Sequence, residues 1–467
     1  MEAFQSATPV AADVTINVAI TGDAADEEAS GIIVADATVQ EKLGRAAEKL
    51  EADFSKMEAK MHRYPASFRG LRSKDDSYFV PQYVAIGPYH HGAAHLQRAE
   101  EMKRAAACFL CEDWGHPAEE VYAKILSVAD DARSCYDDDL QQLQDAADFA
   151  TMMFHDGCFL LHYIIHRTGR PARPSLACWF VVNQESILWD MFLLENQVPW
   201  LVLDSLMAFV PAPVGQFIAN VVATSFEASW QGVGRDKSSF SWNKESGYKP
   251  AHLLDLLRYY QSGDRKSRGA LTIPGTDVIP GIGITSVPQS SSAIDLAEIG
   301  VQLTSNRTAK FRDMGVRKGI FFCKLFLAPL VMDDTNARML LNMLALEVSS
   351  RATYEDSPVR SYILLIAMLM NREEDVHQLR AKHILHGRFS DQRTLSFVKG
   401  LVDLSFDTNR HRLLLAELEA YRHKRWIWIS LYKFVYNNQK SIVTVFSIIG
   451  VLVPIFKALF SIKQHQQ

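Results

Sequence analysis

Two carboxylates stand where a helical core would ordinarily hold apolar side chains. Asp156 follows Met152 by one turn on the apolar stripe of a predicted helix, so its side chain points toward the core. A buried carboxylate without a partner is costly, and it must find a cation, backbone amides or a functional cavity. Two interpretations therefore stay open: a capping or helix-bridging contact, and one acid of a catalytic site.

Glu195 begins a polar triplet with Asn196 and Gln197 in an otherwise apolar run just before Pro199. Proline is tolerated in the first turn of a helix and is unfavourable in its interior, so a helix break is predicted here. Asn196 is expected to act as the N-cap of the next helix, and Glu195 to accept bonds from nearby donors. The alternative is that Glu195 shares a site with Asp156.

Imidazoles and thiols supply the other candidate groups. His90 and His91 are adjacent and close to a predicted glycine turn, and histidine can act as a general base or a metal ligand. Cys108 and Cys111 have the two-residue gap of zinc sites, but a second pair of ligands is missing nearby. We therefore predict no metal and no cofactor, and expect both cysteines on the inner face of an alanine-rich helix.

The elements that would position these groups are mainly helical. Apolar residues recur at helical spacing over 40–61, 96–114, 118–135, 141–167 and 186–206, and again from Asn336 onward. Short β-branched and aromatic pieces within 297–330 predict a small β-hairpin or sheet element. The predicted fold class is mainly α, with a large multi-helix body.

Composition and charge exclude several classes of protein. The 467 residues include 49 basic and 54 acidic side chains, a net charge of −5, which does not favour a nucleic-acid partner. Apolar residues form 48% of the chain, enough for a sizeable core.

Residues 1–40 are predicted to be a disordered acidic leader and 41–440 the helical domain. Its loops at 232–249 and 262–292 are where partner specificity is expected.

The C-terminal window 442–462 has a different composition from the body. Lys457 is its only charged residue, and about 20 apolar residues suffice for a helix to cross the hydrocarbon layer. The sequence therefore predicts a single-pass transmembrane helix, with Pro454 tolerated inside it. Basic and aromatic residues upstream place the body in the cytosol, and the plasma membrane is one candidate location. A last helix packed on a soluble body is the alternative.

Several strings, in order, resemble a large plant family known as domain of unknown function 247. They are HRYP at 62–65, VPQYVAIGPYHHG at 80–92, the helix start at 96–102, FHDGCFLLHYI at 154–164, LLENQVPWLVLDSL at 193–206, HLLDLLRYY at 252–260, DLAEIGVQL at 295–303, MDDTNARMLLNMLALE at 332–347 and the apolar tail. The resemblance implies a plant-specific, mainly helical protein with a C-terminal membrane segment and no established activity. Some members in grasses are implicated as pollen-side determinants of self-incompatibility. The tail departs from the family by carrying Pro454 and Lys457 and by lacking the usual aromatic-proline-tryptophan lead-in.

These observations lead to one functional hypothesis and one alternative. The hypothesis is a membrane-anchored recognition or scaffold protein that acts through protein–protein contacts, in signalling or in self-incompatibility-like recognition. Its expected partners are proteins, membrane lipid at the C-terminal helix, and a second copy of the chain as a homo-oligomer. The alternative is a hydrolase-type enzyme with a site around Asp156, Glu195 and His90 or His91.

Overall fold

A computed structural model gives the architecture of the chain. It describes residues 44–45, 61–72, 76–136, 140, 143, 145–225, 248–263, 292–306, 310–319, 323–350, 357–404, 408–424, 430, 434, 438, 443–455 and 457. The chain divides into two compact units, Met1–Met57 and Glu58–Gln467. In the first unit, only residues 44–45 are described, so the predicted leader at 1–40 and most of the predicted helix at 40–61 lie outside the described residues.

The second unit is built mainly from helices, as the sequence predicts. Its first ten are α1 (Arg69–Arg72), α2 (Gln97–Trp114), α3 (Ala118–Leu126), α4 (Ala129–Ser134), α5 (Ala146–Arg167), α6 (Pro174–Val182), α7 (Gln184–Met191), α8 (Trp200–Met207), α9 (Val214–Ser225) and α10 (Leu253–Ser262). Helix α5 begins at an N-cap in which Asp145 accepts the N–H of Ala147. It lies in the centre of this half and packs against α2, α3, α4 and α8.

Six further helices and five short strands follow in this unit. They are α11 (Ala293–Glu298), β1 (Val301–Ser305), β2 (Gly315–Lys318), β3 (Cys323–Leu327), β4 (Leu330–Val331), α12 (Asp334–Ser349), α13 (Pro358–Leu369), α14 (Glu373–Ala381), β5 (Leu385–His386), α15 (Asp391–Val402) and α16 (Asn409–Lys424). A capping box between Ser292 and Asp295 starts α11. Asp333 and Ser390 cap α12 and α15 in the same unit.

The small sheet element predicted within 297–330 is confirmed. Its strand order is β1-β3-β2, with β1 parallel to β3 and β2 antiparallel to β3. Strands β4 and β5 form a separate parallel pair. Side chains of β1 alternate, with Val301 and Leu303 buried in the core and Gln302 exposed, as expected for a sheet covered on one face.

Two predicted helices are interrupted. The helix predicted over 118–135 is two helices, α3 and α4, and the one predicted over 186–206 is α7 and α8 with an irregular connection between them. The break before Pro199 is confirmed. It starts earlier than proline alone requires, because α7 ends at Met191 and the polar triplet lies in the connection.

The predicted transmembrane helix at 442–462 is wrong, and so is the single-pass membrane location that depended on it. Among the residues that the structure describes, no helix is long and apolar enough to cross a membrane. The helical stretch described there runs over 443–455.

Candidate functional site

The segment from Phe79 to Gly87 enters the core without forming a helix or a strand. Phe79, Val84 and Ile86 are buried along it. Buried backbone amides need partners, and here no neighbouring strand can supply them within the described residues. Side chains of the helical core supply these partners, and they define the candidate site.

Asp190, the penultimate residue of α7, accepts three backbone N–H groups from this segment. Its Oδ1 accepts from Gln82 at 3.0 Å, and its Oδ2 accepts from Tyr83 at 2.7 Å and from Val84 at 2.9 Å. Burial raises the pKa of the Asp190 carboxyl to about 6, although the three amides favour its charged form. The Asp190 carboxylate therefore supplies the hydrogen-bond acceptors that a neighbouring strand would supply in a sheet.

Asn196 has a related role in the connection between α7 and α8. Its Oδ1 accepts the N–H of Ile86 at 2.7 Å, and its Nδ2 donates to the carbonyl oxygens of Val84 at 3.0 Å and Asp190 at 2.9 Å. The expectation that Asn196 is an N-cap is wrong, because Pro199 occupies the N-cap position of α8 and no side chain caps that helix. Asn196 joins two irregular segments instead.

Asp156 binds the end of the same segment and a lysine. Its Oδ2 accepts the N–H of Gly87 at 2.7 Å, and its Oδ1 lies 2.6 Å from the Lys103 Nζ. Glu100 also pairs with Lys103, at 2.6 Å. Burial acts to lower the pKa of Lys103, but the two carboxylates outweigh it and hold that pKa above its usual value. This ion pair is the helix-bridging contact that one interpretation of Asp156 predicts.

Glu195 and Gln197 complete the polar triplet. Glu195 Oε1 accepts the N–H of Tyr64 at 2.9 Å. Gln197 Nε2 donates to the carbonyl oxygens of Met191 and Leu193, and its Oε1 accepts the N–H of Leu254, the second residue of α10. The triplet therefore joins the start of the second unit, the α7–α8 connection and α10.

The two histidines lie at the far end of the irregular segment, in and just after a 3₁₀ turn at Pro88–His90. His91 lines a surface cleft of about 510 Å³ together with Glu100, Glu101 and Arg104 on one face of α2. The described hydrogen bonds of Asp156 and Glu195 go to Lys103 and to backbone amides, not to each other or to His91. A catalytic role for His90, His91 and the two acids stays a prediction.

The two cysteines differ in burial because they lie at different angles around the axis of α2. Cys111 is buried, as expected, whereas Cys108 is exposed and donates to Glu112 Oε1 on the next turn, so the inner-face prediction is wrong for Cys108. Among the described residues, no group of three His, Cys, Asp or Glu side chains is placed to hold a metal ion.

A second polar cluster, on and beside α10, was not predicted. Asp255 Oδ2 accepts from the Tyr248 hydroxyl at 2.7 Å and from the Ala251 N–H at 3.0 Å, while Arg258 lies 3.1 Å from its Oδ1. Arg258 also pairs with the buried Glu347 of α12 at 3.5 Å. Burial acts to raise the pKa of Asp255, but Arg258 and the hydrogen bonds outweigh it and the pKa is lowered. The sequence does contain a signal for this cluster: polar residues recur three apart, at 252, 255 and 258, in an otherwise apolar helix.

His252 caps α10 through its ring. Its Nδ1 accepts the N–H of Asp255 at 3.3 Å, which requires the neutral imidazole. Burial lowers the pKa of His252 to about 4. The cap is therefore kept in its accepting form at neutral pH.

Two long segments, 226–247 and 264–291, lie outside the described residues. The first ends just before Tyr248 and the second begins just after Gly263, and both of these flanking residues lie at α10. The Tyr248 ring stacks on Tyr259 with centroids 3.7 Å apart, which fixes the end of the first segment. The Gly263 carbonyl accepts from Arg312 Nε at 3.3 Å, which fixes the start of the second. The predicted loops at 232–249 and 262–292 fall almost entirely on these two segments.

Comparison with known proteins gives a family and one described relative. Residues 61–453 match the family described as plant protein of unknown function, domain of unknown function 247. The UPF0481 protein At3g47200 of Arabidopsis thaliana is 29% identical over 352 residues, which cover 72% of this chain and 70% of that protein. No solved structure matches the chain significantly.

Proposed function

The chain belongs to the plant family known as domain of unknown function 247, and within that family we propose that it is a recognition or scaffold protein that works by binding other proteins and not by turnover. Its partners are proteins that contact the segments 226–247 and 264–291. Signalling and self-incompatibility-like recognition are narrower forms of the same proposal.

The observation that carries the proposal is that the residues flanking both segments, Tyr248 and Gly263, are held at one buried helix, α10. Segment 226–247 has 22 residues and segment 264–291 has 28, and both are attached to α10. The Asp255–Arg258–Glu347 cluster ties that helix to α12. Segments attached to a rigid frame of helices can change in sequence without disturbing the core, and this is a common design for recognition.

The contacts of the two candidate acids, Asp156 and Glu195, and those of Asp190 support the same proposal. Both carboxylate oxygens of Asp190 and the Oε1 of Glu195 accept backbone N–H groups, and Asp156 binds an amide and a lysine. Side chains with such bonds order the irregular segment against the helices. Their presence is therefore accounted for by the construction of the frame.

The experiment exchanges the two segments between relatives. The full chain is fused to a proximity-labelling enzyme and expressed in its native tissue. In a chimera, residues 226–247 and 264–291 are replaced by the corresponding segments of the Arabidopsis relative. Tyr248, Gly263 and Ser292 are kept, so that the attachment to the frame is unchanged. We expect the set of labelled proteins to follow the donor of the segments.

Two measurements control this exchange. A chain with Glu119→Gln and Glu120→Gln, two exposed residues of α3, should label the same proteins as the unmodified chain. Thermal unfolding of the chimera should match that of the parent. If the chimera is folded and labels the parent's partners unchanged, the proposal is wrong.

A further inference from the structure

The three-stranded sheet has two edges, and one of them is protected. Strand β2 carries Arg317 and Lys318, both charged, and helix α16 packs against it. Lys318 pairs with Glu417 of that helix at 3.7 Å. A covering helix and charged side chains are the devices by which native proteins keep an edge from pairing with other chains.

The opposite edge, formed by β1, also has a helix beside it, α11, in the part of the chain that the structure describes, but the strand itself carries no charged side chain. Its sequence, VQLTS, contains no charged residue and no proline. Strand β1 pairs with β3 alone among the described strands. This edge can therefore accept a further strand.

The direction of the backbone groups on β1 follows from its pairing. The N–H of Asn306 donates to the Leu327 carbonyl at 2.7 Å, on the β3 side. Successive residues of a strand direct their backbone groups to opposite edges. The N–H and C=O groups of Val301, Leu303 and Ser305 therefore point away from β3, toward the open edge.

A cleft of about 450 Å³ runs along this edge. Its lining residues are Ala297, Gly300, 301–304, Gln378 and Lys382. Helix α11 and the end of α14 form the far side, and Lys382 is the one charged residue among those lining it. The cleft offers backbone hydrogen bonds on one side and a positive charge on the other.

We propose that the open edge of β1 binds an extended peptide segment of a partner protein, which adds a strand beside β1 and places an acidic side chain against Lys382. In this mode of recognition the backbone hydrogen bonds supply affinity and the alternating side chains supply specificity. The inference rests on the proposed function, because it assigns one class of partner to one surface. A second copy pairing through its own β1 fits less well, since VQLTS has no carboxylate to offer Lys382.

The test measures binding of a defined probe to the full chain by fluorescence polarisation. The probe is the fluorescein-labelled peptide Thr-Val-Asp-Val-Asp-Val-Thr, and its comparison peptide has lysine in place of both aspartates. We expect the acidic peptide to bind more tightly. Lys382→Glu should weaken its binding about tenfold and favour the lysine peptide, because attraction becomes like-charge repulsion.

A matched variant controls for the overall charge. Lys324 is an exposed lysine of β3, in the same sheet but outside the cleft lining. Lys324→Glu makes the same change in net charge. It should alter the affinity for the acidic peptide by about twofold or less, because exposed charges are screened.

A second variant tests the backbone contribution. Ser305→Pro removes an N–H that points to the open edge and leaves the pairing of β1 with β3 in place, since proline is tolerated at such positions. We expect both peptides to bind about fivefold more weakly, the value of one lost hydrogen bond. Far-UV circular dichroism confirms that the variant is folded.

Five outcomes would overturn the inference. The first is no binding of the acidic peptide at millimolar concentration, and the second is binding that neither Lys382→Glu nor Ser305→Pro weakens. The third is a dimer of the chain that Ser305→Pro dissociates, which would assign the edge to a second copy. The fourth is binding that appears only when 264–291 is replaced by a Gly/Ser linker, which would assign the edge to this chain itself. The fifth is that Lys382→Glu and Ser305→Pro leave the set of proteins labelled by the whole chain unchanged. The edge is then not the partner site, although the proposed recognition function stands.

Discussion

Lys103 Nζ lies 2.6 Å from Asp156 Oδ1 with both side chains fully buried, and this ion pair joins α2 to α5 in the middle of the core. The carboxylate also accepts the Gly87 amide, so one side chain binds two helices and an irregular segment together. Charges removed from water are stabilised only while they are paired. The stability of the frame therefore depends on both partners being present.

Removing the lysine tests this dependence. We expect Lys103→Met to lower the free energy of unfolding by about 3–5 kcal/mol, because Asp156 would be left buried without its cation. Urea denaturation of the full chain measures the change. Lys124→Met, at an exposed position of α3, should stay within ~0.5 kcal/mol of the parent.

The double variant Lys103→Met with Asp156→Leu separates pairing from packing. We expect its loss in free energy of unfolding to be smaller than the summed losses of the two single variants by about 1 kcal/mol or more. The reason is that neither charge is left buried without its partner. Additive losses would mean that the two side chains do not stabilise each other.

Asp190 is predicted to be a structural acceptor of comparable importance. Asp190→Ala should lower the free energy of unfolding by about 3 kcal/mol or more, since the N–H groups of Gln82, Tyr83 and Val84 would lose their acceptor, at about 1–3 kcal/mol for each unsatisfied group. Hydrogen exchange should show faster exchange of these three amides. Asp403→Ala, at an exposed carboxyl, provides the comparison, and equal effects of the two variants would contradict the role given to Asp190.

The cap of α10 predicts a pH dependence with a definite sign. The pKa of His252 is lowered to about 4 by burial, so its contribution to stability is present above its unfolded value near 6.5 and is lost as the pH falls through about 4. A change of about 2.5 pKa units corresponds to roughly 3 kcal/mol at 1.36 kcal/mol per unit.

His252→Asn should remove that part of the acid destabilisation, because asparagine accepts the same cap bond without titrating in this range. Urea unfolding at pH 7 and pH 4 measures the difference for each protein. His377→Asn, at an exposed histidine of α14, should leave the pH dependence unchanged. A parent and a His252→Asn variant with the same loss between the two pH values would refute the prediction.

The sequence predicted what local spacing determines. The helices at 97–114 and 146–167 follow from their apolar period, and the break before Pro199 follows from the geometry of proline. It did not predict the partners of Asn196 and Asp190, because these contacts join residues 106 to 112 positions apart. Pairing of β1 with β3 in parallel is non-local in the same way.

The error at the C-terminus has a different cause. Hydropathy over 442–462 measures composition, whereas crossing a membrane also requires an unbroken helix of sufficient length. Among the described residues, no helix is both long and apolar enough. The prediction for Cys108 failed on orientation: the buried face of α2 is formed by Ala99, Lys103, Ala106, Ala107, Leu110 and Cys111, and Cys108 lies just beyond the edge of that face.

Gly87 offers the sharpest test of the irregular segment. Its φ is +80°, and a Cβ there would lie 2.4 Å from the Gln197 carbonyl oxygen and 3.1 Å from the Tyr136 hydroxyl oxygen. We expect Gly87→Ala to lower the free energy of unfolding by about 3 kcal/mol or more, since a strained φ costs about 1–2 kcal/mol and displacement of the backbone adds to it.

The matched control for Gly87→Ala is Gly115→Ala. Gly115 has a similar φ of +71°, but nothing lies within 4 Å of its expected Cβ, so only the cost of the backbone conformation applies, about 1 kcal/mol. Thermal and urea unfolding of both variants give the difference between them. That difference measures how closely the 79–87 segment is held against the α7–α8 connection, and if the two variants lose equal stability the segment is free to move away from Gln197.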